Sequence, residues 1–158
     1  MKRGIDVKVN GETYSIVVDT RETLLDALRY RLGFMGPKEG CGNGNCGSCT
    51  VTLNGTVVDS CLVFAVEADG AEVTTVEGVA VDGKLHPVQQ TFIEHGALQC
   101  GFCTSGFIMS AKALLERNPN PAEHEIRLGL SGNLCRCTGY DKIVRAVMAA
   151  SQALSKVA

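Results

Sequence analysis

Eight cysteines are the residues of this 158-residue chain with the most obvious chemistry, and they fall into two groups of four. The first tetrad reads C-x4-C-x2-C-x11-C, and the second reads C-x2-C-x31-C-x-C. Thiolates bind soft metal ions and iron–sulfur clusters, so both spacings indicate metal centres. The predicted ligands are Cys41, Cys46, Cys49 and Cys61 in the first tetrad, and Cys100, Cys103, Cys135 and Cys137 in the second.

The opening of the first tetrad has the ligand spacing of a plant-type [2Fe–2S] cluster. Glycines alternate with these cysteines in the segment KEGCGNGNCGSC. A two-iron cluster is larger than one zinc ion, and glycine permits the close backbone approach and the positive φ angles that wrapping it requires. Backbone N–H groups facing the sulfurs would also stabilise the reduced cluster. We therefore predict that Gly42, Gly44 and Gly47 contact a bound cluster.

Disulfides and zinc are the competing interpretations of the cysteines. The N-terminus MKRGIDVKVN lacks the apolar run of a signal peptide, so we expect a cytoplasmic protein, in which disulfides are uncommon. C-x2-C pairs also occur in zinc sites, and a zinc-stapled interaction module remains the weaker alternative. The histidines share no ligand spacing with each other or with a cysteine, so no Rieske centre is expected; they are His86, His95 and His124.

Charge and hydropathy exclude two classes of partner. The net charge is −2 and the pI is about 5.9, so no basic surface is expected for nucleic acid or anionic lipid. No apolar stretch approaches the roughly 20 residues of a membrane span. A hydrophobic content of 45% is enough for a buried core.

Alternating apolar residues in the first half predict two β-hairpins. Their turns fall at Asn10-Gly11 and Asn54-Gly55, because Asn-Gly favours the tight turns of hairpins. Leucines at helical spacing from Leu24 to Leu32 predict a helix between the hairpins, and a last short strand is expected at Glu72 to Val76. These elements describe a β-grasp arrangement for residues 1–78.

Helical patterns replace strand patterns in the second half, after a linker predicted at Gly78 to Lys84. Four helices are expected: one opening at Pro87, one carrying Phe107 to Leu115, one capped by Asn120, and one capped by Asp141. They predict a small helical bundle for residues 79–158. The fold class is therefore α+β.

The second tetrad lies at the predicted ends of these helices. Cys100 and Cys103 are three residues apart at a helix start, so both thiols are expected to face the same side. Cys135 and Cys137 lie in the turn before the last helix, and an antiparallel bundle would bring the two pairs together near helix N-termini that favour thiolates. Because each half is small for a stable core, a bound cluster would also act as a staple.

Three strings carry a resemblance to a known family: KEGCGNGNCGSCTV, QCGFCTSGF and GNLCRCTGY. They resemble the iron–sulfur subunit of molybdenum hydroxylases, the group of xanthine dehydrogenase, aldehyde oxidoreductase and carbon monoxide dehydrogenase. The resemblance implies a plant-type ferredoxin-like domain followed by a helical domain, each with one [2Fe–2S] cluster held by a cysteine tetrad. It also implies a large molybdopterin-binding subunit, a medium FAD-binding subunit and a dimer of heterotrimers.

The same resemblance implies the function of an electron-transfer subunit. Electrons would pass from molybdopterin in the large subunit through this chain to FAD or an external acceptor, during oxidative hydroxylation or dehydrogenation of a small molecule. Gln99 and Cys137 match positions that approach the pterin in the family. The chain departs from the family at Ser105, where proline is usual, and at Ser48, where alanine is usual. No substrate-binding catalytic site is expected on this chain; a free-standing ferredoxin-like carrier is the alternative.

Overall fold

A computed structural model describes residues 1–156, so the last two residues of the predicted helical domain lie outside the described residues. The first half forms a five-stranded mixed sheet in the order β2-β1-β5-β3-β4. β1 and β5 are parallel, and the other neighbours are antiparallel. The strands are β1 (Lys2–Val9), β2 (Glu12–Asp19), β3 (Thr50–Leu53), β4 (Thr56–Asp59) and β5 (Glu72–Thr74).

Both predicted hairpins are confirmed, and their turns have the expected backbone. Asn10 and Gly11 have φ angles of 52° and 90°, and Asn54 and Gly55 have 49° and 80°. Two successive positive φ angles characterise a type I′ turn, whose twist matches that of the flanking strands. The second hairpin pairs Thr50 with Asp59, which places the residues just outside β3 and β4 side by side.

The predicted helix between the hairpins is also present, as α1 (Leu24–Asp26) continued by a π-helical turn at Ala27–Arg31. Thr23 caps it: its hydroxyl accepts the Asp26 N–H at 3.1 Å, while the Asp26 carboxylate accepts the Thr23 N–H at 3.3 Å. Leu24 and Leu28 of this helix are buried and pack with valines of the sheet. One apolar face of the sheet is thereby covered.

The second half contains the four expected helices: α2 (Pro87–Glu94), α3 (Thr104–Arg117), α4 (Glu123–Gly129) and α5 (Asp141–Ser155). Their shared core includes the buried rings of Phe92 and Phe107 together with Ile126, Ile143 and Val147. The α+β class, with a β-grasp half followed by a helical bundle, is confirmed.

Two predicted helix starts are wrong by one or two residues. Asn120 does not cap α4, because its side-chain oxygen accepts a hydrogen bond from Ser155 of α5 at 3.1 Å. The helix begins after Ala122 instead, whose N–H donates to the Glu125 carboxylate at 2.7 Å. Asp141 is the first residue of α5 rather than its cap, and its carboxylate pairs with Arg145 at 2.9 Å.

The last strand is shorter than expected for a similar reason. β5 ends at Thr74, and the N–H of Thr75 donates to the side-chain oxygen of Asn10 at 2.9 Å. A short 3-10 turn at Val76–Gly78 follows. The strand therefore ends at a tertiary hydrogen bond, two residues before the end that the apolar pattern predicts.

The two halves pack directly against each other along α3, which lies beside β3 and β4. Ser105 near the start of α3 is buried, and its hydroxyl donates to the carbonyl of Gly36 at 2.5 Å. Gln89 of α2 donates to the carbonyl of Val76 at 3.3 Å. Ser105 therefore joins the two halves.

Candidate iron–sulfur cluster sites

The first tetrad lies at one end of the sheet. Cys41 and Cys46 belong to the glycine-rich loop, Cys49 immediately precedes β3, and Cys61 lies in a 3-10 turn at Ser60–Leu62 just after β4. The β3–β4 register brings Cys49 and Cys61 together, and the Ser60 hydroxyl donates to the Cys49 carbonyl at 2.7 Å. Cys49 is buried, whereas Cys41 is exposed.

The thiols of this tetrad affect one another in two pairs, since Cys46 lowers the pKa of Cys41 and Cys61 raises that of Cys49 through side-chain hydrogen bonding. The Cys49 thiol also donates to the Asp59 carboxylate, at 3.7 Å between sulfur and oxygen. The pKa of the Cys41 thiol is lowered to about 7, chiefly because the backbone N–H of Asn43 donates to it. The N–H of Asn45 lies 3.3 Å from the same sulfur. Burial raises the pKa of Cys49 to about 12. The loop therefore turns backbone donors towards a sulfur, as its glycine content suggests.

The glycines of this loop have the conformations that the sequence predicts. Gly42, Gly44 and Gly47 have φ angles of 66°, 77° and 67°. A Cβ at Gly44 would overlap the side chain of Leu62, which follows Cys61. Side chains at these positions would strain the backbone and, at Gly44, push the loop away from the β3–β4 hairpin.

The second tetrad lies between α3 and the segment before α5. Cys103 is the residue immediately before α3, and Cys100 precedes it on an exposed loop. The sulfurs of Cys137 and Cys100 are 3.6 Å apart, and Cys103 is the hydrogen-bonding partner of Cys135. The segment with Cys100 and Cys103 and the segment with Cys135 and Cys137 therefore lie side by side, and each thiol has a partner from the other segment.

The two thiols of the inner pair have different surroundings. Burial raises the pKa of Cys103 to about 12, and its hydrogen bond to Cys135 acts in the same direction. Burial also acts to raise the pKa of Cys135, but hydrogen bonds from Thr138 lower it overall. The Thr138 hydroxyl donates to the Cys135 sulfur at 3.1 Å, and the Thr138 N–H does so at 3.4 Å.

The arrangement of the thiols in pairs fits a two-iron cluster. Four cysteines hold such a cluster, with two thiolates on each iron. A structural zinc ion instead needs four ligands around a single point. Within residues 1–156, no group of three or more His, Cys, Asp or Glu side chains surrounds one such point. The donor set is therefore chemically suited to two [2Fe–2S] clusters.

Sequence reasoning missed two residues that hold Cys135, namely Thr138 and Tyr140. The backbone N–H of Cys135 donates to the Tyr140 hydroxyl at 3.0 Å. Tyr140 adopts a left-handed backbone with φ of 68°, and its ring lies edge-on to Phe107 at 6.3 Å. A tyrosine rarely adopts positive φ without a constraint. The string CRCTGY gave a signal, since both residues lie within three positions of the last cysteine.

Gln99 and the outer pair of the second tetrad lie at the protein surface. Gln99, Cys100 and Cys137 are all exposed. Three large apolar side chains near these cysteines in sequence are also exposed by 40% or more: Leu98, Phe102 and Leu134. Exposed apolar side chains grouped around a polar centre are typical of a surface that binds another protein.

His86 has a structural role, because its Nδ1 accepts the Val88 N–H at 3.2 Å at the start of α2. In the described part of the chain, no helix has the length and apolar character needed to cross a membrane.

Family models match nearly the whole chain. Residues 7–77 match the model of a 2Fe-2S iron-sulfur cluster binding domain, and residues 75–148 match that of a [2Fe-2S] binding domain. The chain is 52% identical to the nicotinate dehydrogenase small FeS subunit of Eubacterium barkeri, over 90% of this chain and 91% of that subunit. It is 54% identical to the nicotine 6-hydroxylase small subunit of Paenarthrobacter nicotinovorans, over 91% and 87% of the two chains.

A solved structure shares the same fold. A chain in the crystal structure of quinoline 2-oxidoreductase from Pseudomonas putida 86 superposes with a TM-score of 0.94 and 43% sequence identity. The match covers 98% of this chain and 97% of that chain. The similarity therefore includes both tetrads and the helices and strands that carry them.

Proposed function

This chain belongs to the small [2Fe–2S] subunits of molybdenum hydroxylases, and we propose that its two tetrads are the ligands of its two clusters. It is an electron-transfer subunit of an oxidoreductase complex with a larger, molybdopterin-binding partner. When bound, the clusters supply one-electron acceptance and release. Each thiol pair would hold one iron: Cys41 with Cys46, Cys49 with Cys61, Cys100 with Cys137 and Cys103 with Cys135.

The surroundings of the thiols differ in ways that would tune the two sites separately. In the first site, backbone N–H groups of the glycine-rich loop face Cys41. In the second, a threonine hydroxyl faces Cys135. Hydrogen bonds to sulfur favour the more negative, reduced state of a cluster. Unequal donor sets therefore predict unequal reduction potentials. We assign the first site to a domain at residues 1–78 and the second to a domain at residues 79–158.

We further propose the direction of the route through this chain. Gln99 and Cys137 face the pterin of the large subunit, and the loop 42–47 faces FAD or an external acceptor. The exposure of Gln99, Cys100 and Cys137 supports this direction, as do the exposed apolar side chains nearby. The proposal also includes a medium FAD-binding subunit, a dimer of heterotrimers and a cytoplasmic location. These three parts are supported only by membership of the family.

The observation that carries the proposal is the pairing of eight thiols into two sets of two pairs. It is tested by measuring iron and acid-labile sulfide in the purified complex, together with zinc. We expect about four irons and about four sulfides for each copy of this chain, and two distinguishable paramagnetic signals after reduction. About two irons, or stoichiometric zinc in this chain, would contradict the assignment.

A further inference from the structure

The loop of the first tetrad is fastened to the helical half by two consecutive residues. The side-chain amide of Asn133 donates to the carbonyl of Gly47 at 3.0 Å, across 86 positions of sequence. The backbone N–H of Leu134 donates to the neighbouring carbonyl of Cys46 at 2.9 Å. Asn133 is only 5% exposed, so its hydrogen bond to Gly47 is shielded from water. The next residue along the chain is Cys135 of the second tetrad.

Close packing surrounds the same carbonyl group. The Gly47 carbonyl also accepts the hydroxyl of Thr50 at 2.6 Å. A Cβ at Gly47 would overlap the amide of Asn133, and a Cβ at Gly106 of α3 would overlap the Gly47 carbonyl oxygen. The loop of the first tetrad, α3 and the segment before Cys135 therefore approach each other as closely as glycine permits.

These contacts create a short connection between ligands of the two sites. It runs from the Cys46 sulfur through its own carbonyl to the Leu134 N–H, and from Leu134 along the backbone to Cys135. A single hydrogen bond interrupts an otherwise covalent path. The Asn133 side chain forms the adjacent hydrogen bond and so restricts movement of the loop relative to Cys135.

We propose that Asn133 is a positioning residue that couples the two cluster sites, by clamping the Cys46–Gly47 backbone against the segment that carries Cys135. The inference rests on the proposed function, because it concerns two [2Fe–2S] sites. It adds a residue that binds no cluster itself and acts through the backbone carbonyl of Gly47, next to the Cys46 carbonyl that accepts the Leu134 N–H. Asparagine suits this role because its amide supplies donors to a buried carbonyl without introducing a charge.

The test compares Asn133→Leu, which removes the amide donors at similar volume, with Ser105→Ala, which removes a different hydrogen bond between the halves. Both variants are purified in the complex with the large partner. The first readout is the magnetic interaction between the two reduced centres, observed as splitting of their paramagnetic signals. The second is hydrogen–deuterium exchange at the Leu134 amide, which does not depend on the electronic properties of a cluster.

In Asn133→Leu, we expect the splitting to weaken or become heterogeneous and the Leu134 amide to exchange faster. In Ser105→Ala, we expect both readouts to stay as in the wild type, because the lost hydrogen bond is to Gly36 and not to Cys46 or Gly47. Unchanged splitting and unchanged Leu134 exchange in Asn133→Leu would overturn the proposal. So would an equal loss in both variants, because a general loosening of the interface would then be the cause.

If Asn133→Leu does not yield folded complex, Asn133→Ala is the second variant, because it removes the amide donors to Gly47 and Thr50 without adding bulk. Faster exchange of the Leu134 amide in this variant would support clamping by Asn133, and exchange as slow as in the wild type would overturn it. A wild-type complex without about four irons per chain would instead refute the proposed function. The Leu134 exchange would still report on the clamp in that case.

Discussion

The cysteines differ in the hydrogen bonds that their sulfur and backbone atoms form, and Cys135 shows this most clearly. Cys135 accepts two hydrogen bonds from Thr138, and the Tyr140 hydroxyl accepts the N–H of Cys135. Such outer partners orient a ligand and change the electron density on its sulfur. The properties of the second site should therefore depend on residues that would not touch iron.

Replacing Thr138 with valine tests this dependence. The variant loses the hydroxyl donor at 3.1 Å from the Cys135 sulfur and keeps the backbone donor. A net hydrogen bond of about 1 kcal/mol corresponds to roughly 40 mV for a one-electron couple, so the second centre should shift to more negative potential by about that amount. A redox titration followed by electron paramagnetic resonance measures the shift.

Thr138→Ser is the matched control, because it retains the hydroxyl. We expect its potential to stay near that of the wild type, and the first centre to be unaffected in either variant. An equal shift in the serine and valine variants would attribute the effect to the threonine methyl group instead of the hydrogen bond.

Among the secondary-structure elements, α3 contacts both sites. It begins directly after Cys103, and its Ser105 and Gly106 contact the first half at Gly36 and Gly47. Glycine in a helix interior is unfavourable by about 1 kcal/mol relative to alanine. Gly106 is explained by the close approach of α3 to the Gly47 carbonyl, where no side chain fits.

Gly106→Ala should therefore destabilise the protein despite the better helix propensity of alanine. The added methyl group would overlap the Gly47 carbonyl oxygen, and overpacking of this kind costs about 1–3 kcal/mol. A decrease in the urea midpoint of unfolding measures the effect. Gly132→Ala is the control, because a Cβ there meets no atom within 4 Å and should change stability little. An increase in the urea midpoint for Gly106→Ala would contradict this expectation, because it would show that α3 can move away from the Gly47 carbonyl without a loss of stability.

For the molecule as a whole, the two sites have different exposure. The second tetrad has two exposed cysteines, Cys100 and Cys137, beside Gln99, whereas the first has one, Cys41, and its Cys49 and Cys61 are buried at the end of the sheet. A chain that passes electrons between two partners needs an accessible entry and a separate exit. In our proposal, the face around Gln99 is the entry from the large subunit.

Gln99→Ala tests the direction of the route in the assembled complex. We expect slower reduction of both centres by substrate and unchanged reduction by dithionite, because dithionite does not require the pterin-facing side. The control is Gln90→Ala, an exposed glutamine on α2 that hydrogen-bonds only within its own helix, to Glu94 at 2.8 Å. Stopped-flow absorbance measures both rates. If Gln99→Ala left the substrate-driven rate intact while Gly44→Ala reduced it, the route would run in the opposite direction.

The sequence alone determined the features that depend on local chemistry. Cysteine spacing separated the two tetrads, Asn-Gly pairs located both hairpin turns, and the 3.6-residue period located four helices. The positive φ angles of the glycine-rich loop followed from composition in the same way. Each of these is encoded within a few neighbouring residues, so no knowledge of distant contacts was needed.

Only the tertiary structure decided which groups meet across the chain. Cys100 lies against Cys137 and Cys103 against Cys135, a pairing that depends on how bundle packing turns the two segments towards each other. Asn120 accepts a hydrogen bond from Ser155 of α5, and Ala122 is the residue that caps α4. Asn133 reaches a carbonyl 86 positions away. These outcomes depend on the arrangement of whole helices and of the sheet, and spacing along the chain carries no record of that arrangement.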